Sequence, residues 1–140
     1  KTRLYMLSLS TNNKTLSSGT FVNKKDNNDS RRIKKVTEYL NRNYDKNIKL
    51  ADIADLINMS EVAFCRFFRK RTSKSPIEYL NDIRIGMATR QLADTAKPIS
   101  EISYQCGFNN LSNFNRCFQK KKGCTPSEFR KKLALTRQII

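Results

Sequence analysis

Apolar residues recur along most of this chain with helical spacing. Ile33, Val36, Tyr39 and Leu40 stand at i, i+3, i+6 and i+7, one face of a helix with about 3.6 residues per turn. Asp29 or Ser30 can cap its start, and it should end near Asn43. The next periodic runs are LADIADLI (50–57) and EVAFCRFFRKR (61–71), separated by the short break NMS. Pro76 opens a long run, PIEYLNDIRIGMATRQLADT. Proline suits a first helical turn, where its missing N–H would have had no partner. Pro98 closes that stretch. Residues 101–118, EISYQCGFNNLSNFNRCF, then predict two short helices: Ile102 and Cys106 lie four apart, Gly-Phe breaks the pattern, and Phe114 and Phe118 again lie four apart. A last short helix is expected over 126–133. No strand alternation appears in 31–140, so the predicted fold class is all-α.

The residues ahead of this region differ. Residues 1–9, KTRLYMLSL, are moderately apolar but too short to fold alone. They read as the trailing helix of a domain that lies elsewhere in a longer protein, and a start at Lys1 rather than Met agrees with that. Residues 10–30 are rich in Ser, Thr, Asn and Lys, a composition that cannot bury a core and reads as a linker. The expected organisation is a trailing helix and linker over 1–30 and a helical domain over 31–140.

The helical region repeats itself. At a shift of 50, Phe64, Arg66, Phe68, Lys70, Pro76 and Glu78 match Phe114, Arg116, Phe118, Lys120, Pro126 and Glu128. Upstream, Ile53 matches Ile102 at a shift of 49, so the second copy carries one extra turn residue. The unit is a short helix, a tight turn, a second helix and a Ser/Thr-Pro helix start. Two helices joined by a turn of about three or four residues form a helix-turn-helix. In Phe-x-Arg-x-Phe the phenylalanines share one face. The arginine points about 160° away from it, at ~100° per residue. The inner face can dock while the outer face, with its arginine and amides, stays open to base edges in a major groove. Taken alone, one copy could equally be a helical hairpin with a solvated face; two copies weigh against that. A connector over 76–93 would be roughly 27 Å long at ~1.5 Å per residue. It could hold two recognition helices near one DNA turn apart, ~34 Å.

Charge favours a polyanion. The chain carries 28 basic and 12 acidic residues, a net of +16. Within 31–140 the count is 23 basic and 10 acidic, a net of +13. Nucleic acid is the first candidate for that field and an anionic membrane the second. No run approaches the ~20 apolar residues of a membrane span, and no signal peptide with a cleavage site is visible. With no histidine, the serine-type triad and histidine metal sites are ruled out. Cys65, Cys106, Cys117 and Cys124 form no C-x-x-C pair; three fall within apolar patterns and read as small core residues. Neither a catalytic residue, a metal nor a cofactor is expected. The chain does not read as an enzyme: clustered carboxylates and a Gly-rich phosphate loop are also missing. A sequence-tolerant RNA or DNA binder is the alternative, although the phenylalanines sit on inner faces rather than offering stacking platforms.

Residues 31 to about 132 resemble the DNA-binding domain of the AraC/XylS family of bacterial transcription regulators. LADIADLINMSEVAFCRFFRKRTSKSPIEYL and ISEISYQCGFNNLSNFNRCFQKKKGCTPSEFR carry the resemblance. The second segment holds the family signature: Ile-x-x-Ile, Gly-Phe, Phe-x-Arg-x-Phe and Gly-x-Thr-Pro. The resemblance implies seven helices, with helix-turn-helix subdomains at 31–75 and 94–132 joined by a linking helix at 76–93. It implies base contacts from Val62, Cys65 and Arg66 in the first unit and from Leu111, Ser112, Asn113, Asn115 and Arg116 in the second. Val62 and Cys65 offer only packing or thymine-methyl contact, and a core place for Cys65 is the second reading. Arg69, Arg71, Lys74, Lys97, Lys120 and Lys122 are candidates for phosphate contact, although each could equally be ordinary solvated charge. Ser73 stands where the family has glycine, while Gly123 keeps it. The resemblance further implies a cytoplasmic activator that contacts RNA polymerase and forms homodimers through a preceding sensor domain.

Overall fold

The computed structural model describes residues 16–139. The expectations for residues 1–9 and 10–15 lie outside the described residues. Seven helices follow one another, with no strand among the described residues. They are α1 (Leu16–Asn43), α2 (Leu50–Leu56), α3 (Glu61–Thr72), α4 (Pro76–Asp94), α5 (Ile99–Gln105), α6 (Leu111–Lys122) and α7 (Pro126–Ile139).

Two boundaries depart from the sequence expectation. Helix α1 starts at Leu16, not at a cap near Asp29 or Ser30, and Asp29 instead pairs with Arg32 at 3.5 Å. A polar run lacks the residues to fill a core, but it can close the backbone hydrogen bonds of a helix, and no proline interrupts 16–43. Helix α7 continues past 133 to Ile139.

Residues 35–139 form one compact unit, and within it the sequence repeat becomes a repeat of geometry. Ring centroids of Phe64 and Phe68 lie 5.8 Å apart at 55°, and those of Phe114 and Phe118 lie 5.7 Å apart at 55°. Phe68 meets Tyr79 edge-on at 5.4 Å, and Phe118 meets Phe129 edge-on at 5.5 Å. The Ser/Thr-Pro-x-Glu starts of α4 and α7 are both capping boxes. Ser75 Oγ accepts from the Glu78 amide (3.1 Å), and the Ser75 amide donates to Glu78 Oε1 (3.0 Å). Thr125 and Glu128 do the same at 3.2 and 2.9 Å. Two orphan amides are thereby satisfied at each start. The backbone hydrogen bonds hold both glutamate carboxyls below the usual carboxylate range.

The turns also correspond. Asn58 and Gly107, matched at the shift of 49, both take left-handed backbone (φ +55° and +99°). Ser73 and Gly123, matched at 50, do so at the exits of α3 and α6 (φ +65° and +78°). The first copy thus uses a non-glycine residue at both left-handed positions. The linking helix is shared unequally. Its Ile85, Ala88 and Leu92 join Ile102, Cys106, Phe108, Phe114 and Phe118 in one buried cluster. The first unit buries Val36, Leu40, Ile53, Ala54, Ile57, Phe64 and Phe68.

Candidate nucleic-acid interface

Each second helix docks through its phenylalanines and leaves the opposite face open. Ser60 and Asn110 cap the two helices, accepting from the Ala63 amide (3.2 Å) and the Asn113 amide (2.7 Å). On α3, Val62 is 66% exposed, Arg66 is exposed and Cys65 is half-buried. On α6, Leu111 is 41% exposed, and Ser112, Asn115 and Arg116 are exposed. Val62 and Leu111 thus leave apolar surface in water on these faces. Asn113 is partly buried, and its Oδ1 accepts from Arg116 Nη2 at 2.5 Å. That bond fixes the guanidinium, so Asn113 orients Arg116 in this structure. Asn113, Arg116 and Lys120 line a cleft of about 460 Å³ together with Asn47 and Asn81.

Of the six phosphate candidates, Arg69, Lys74 and Lys97 contact a carboxylate or an amide oxygen. Arg69 lies 3.8 Å from Glu78. Lys74 pairs with Asp82, a contact that raises the lysine pKa. Lys97 Nζ donates to Gln105 Oε1 at 3.1 Å. Arg71, Lys120 and Lys122 are exposed along the last turns of α3 and α6. Cations near a helix C-terminus are favoured by the dipole as well as available to an anion.

Three residues that the sequence did not single out hold this surface in place. Arg84, on α4, donates from Nε to the Tyr44 carbonyl (2.7 Å) and from Nη2 to the Lys46 carbonyl (2.9 Å). Its guanidinium carbon lies 5.7 Å from the centre of the Phe108 ring. Arg84 therefore joins the segment after α1 to the turn of the second unit, and burial lowers its pKa. Gly107 makes room for this contact: a Cβ there would overlap the Tyr44 carbonyl oxygen and stand 2.8 Å from Arg84 Nε. Arg130, on α7, donates to the carbonyls of Lys97 (2.7 Å), Thr95 (3.1 Å) and Leu92 (3.3 Å), capping the end of α4. Asp82 receives Lys74 and, at 3.4 Å, Lys121. These contacts join residues from 8 to 40 positions apart, several of them through backbone carbonyls, so no helical spacing announces them.

All four thiols are free; Cys106 and Cys124 are buried, whereas Cys65 and Cys117 are only half-buried. Burial pushes the Cys106 thiol up to about 11. Among the described residues, no group of three or more acidic or cysteine side chains could hold a metal ion, and no helix is long and apolar enough to cross a membrane.

A family model described as a helix-turn-helix domain matches residues 53–132. The chain is 33% identical over 102 residues to the uncharacterized HTH-type transcriptional regulator YdeC of Bacillus subtilis, covering 73% of this chain and 35% of that protein. It is 34% identical over 98 residues to the lactose operon transcription activator of Staphylococcus xylosus, covering 70% and 35%. The chain thus spans about a third of the length of these two relatives. The fold superposes on the crystal structure of a probable AraC family transcriptional regulator from Rhodopseudomonas palustris with a TM-score of 0.68 and 25% identity, covering 74% of this chain and 97% of that one.

Proposed function

The chain belongs to the AraC/XylS family of helix-turn-helix transcription regulators, and from that premise we propose that it reads a specific double-stranded DNA site through α3 and α6, each laid in one of two successive major grooves. The observation that carries this reading is the pair of superposable Phe-x-Arg-x-Phe helices. Their buried rings fix each helix in the same way, and Arg66 and Arg116 stand at equivalent exposed positions. Arginine bonds guanine O6 and N7 bidentately, which would make these two the main base readers. Val62, Cys65, Leu111, Ser112 and Asn115 contribute packing and shorter polar contacts, with Asn113 aiming Arg116. Arg69, Arg71, Lys74, Lys97, Lys120 and Lys122 serve the phosphates, which position without specifying. In the whole protein this module would act in the cytoplasm as part of an activator that contacts RNA polymerase and dimerises through a preceding domain; the similarity to a lactose operon activator supports that sign of regulation.

The test is selection from a randomised duplex library by the wild type, Arg116→Ala and Lys97→Ala. The wild type should enrich two blocks about one turn apart, and Arg116→Ala should relax only one of them. Lys97→Ala should weaken all sequences alike. Should no motif emerge and both variants weaken binding equally, a sequence-tolerant nucleic-acid binder is the better account.

A further inference from the structure

Asp82 stands on α4 between the two units, and one carboxylate oxygen, Oδ2, receives a lysine from each. Lys74 comes from the exit of α3 and Lys121 from the last turn of α6. All three line a cleft of about 250 Å³ with Glu78, Ile85 and Lys120. The neighbouring carboxylate, Glu78, is already engaged by the Ser75 amide and Arg69. Asp82 is therefore the acid that both exits share. The repeat does not generate this arrangement, because position 74 matches Cys124 and position 121 matches Arg71. It is a contact between the copies rather than within one.

We infer that Asp82 is a positioning residue that sets the separation of the two recognition helices, and so the spacing between the DNA blocks that the chain accepts; this rests on the reading of α3 and α6 as recognition helices. Two ammonium groups converging on one oxygen attract it and repel each other. Remove the carboxylate, and the exits of α3 and α6 are left with unbalanced like charge in a chain of net charge +16. Arg84 ties the units on the other side of α4, since residues two apart on a helix point about 200° apart. Its acceptors are neutral carbonyls. The Asp82 contacts are partly exposed ion pairs, so salt screens them more strongly.

The experiment uses the selected DNA site at its natural spacing and with one base pair added or removed between the blocks. Affinities of the full chain are read by fluorescence anisotropy at fixed salt. Asp82→Asn should bind every duplex more tightly, because a negative charge is lost. Its preference for the natural spacing should fall by roughly two- to tenfold, the range expected from partly exposed pairs. Asp82→Glu should keep the preference. Lys121→Met should lower it, and the double variant with Asp82→Asn should lower it no further. A uniform shift of all three duplexes in Asp82→Asn, with the preference intact in Lys121→Met, overturns the inference while the two-helix reading stands. A wild type that selects no motif overturns that reading, and the spacing role falls with it.

Discussion

Gly107→Ala tests how tightly the two units are joined. The position has φ +99°, a backbone that L side chains rarely adopt, and its Cβ would meet the Tyr44 carbonyl and Arg84. The backbone term is about 1–2 kcal/mol. To relieve the overlap, Arg84 must give up at least one of its hydrogen bonds to Tyr44 and Lys46. A hydrogen bond to a charged group contributes about 1.5–3 kcal/mol. The sum is about 2.5–5 kcal/mol, a large share of the 5–15 kcal/mol by which ordinary domains are stable. At ~1–3 kcal/mol per molar, the urea midpoint should fall by at least about 1 M, followed by far-UV circular dichroism. Gly123→Ala supplies the control. Its φ is +78°, yet no atom lies within 4 Å of the added Cβ, so only the backbone term of ~1–2 kcal/mol applies. Arg84→Met, which removes the crowded group, should make Gly107→Ala less costly than in the wild type. Equal losses for Gly107→Ala and Gly123→Ala, to within ~0.5 kcal/mol, would refute the claim that crowding between the units governs this turn.

Ser73→Gly should stabilise the chain by roughly 0.5–1 kcal/mol in the same assay, because Ser73 holds φ +65° where glycine carries no Cβ penalty. Arg130→Met should cost about 2–3 kcal/mol, having removed the donor to three carbonyls at and just beyond the end of α4; Lys97→Met, an exposed contact, should stay within ~0.5 kcal/mol. Alkali should destabilise the fold. The Cys106 thiol is raised from 9.0 to about 11 when folded, so above pH 9 the unfolded chain releases a proton that the folded chain keeps, and stability falls as pH rises towards 11. The slope approaches ~1.4 kcal/mol per pH unit. Urea midpoints across that window should fall less steeply in Cys106→Ala. Some slope should remain, because burial also raises Tyr44.

The helices and their outward residues were legible because they depend on local chemistry. Phenylalanines four apart, a Ser/Thr-Pro-x-Glu start and a Gly-Phe turn each act within a few residues, and the first two appear twice. The missing glycine at 73 is also explained: Ser73 takes the left-handed exit anyway, with Thr72 Oγ1 accepting from the Lys74 amide at 3.2 Å. Less legible was α1, whose polar run resembles a linker in composition. Arg84, Arg130 and Asp82 were illegible for another reason. They look like ordinary charge in a basic chain until the fold brings a distant carbonyl or lysine to them. Cys65 and Cys117, too, are only half-buried, because each sits at the edge of the docking face rather than beneath it.

The unequal ownership of α4 has a consequence for motion. A chain duplicated in sequence need not open symmetrically. Ile85, Ala88 and Leu92 belong to the second core, so the half of the linking helix that carries them should exchange its amide hydrogens at the rate of α5 and α6. The first unit lacks that share and should open at lower free energy, as a separate cooperative block. Hydrogen exchange would then show two protection plateaus in one domain, with the step falling inside a continuous helix. The more labile unit would be the one with non-glycine residues at both left-handed turns.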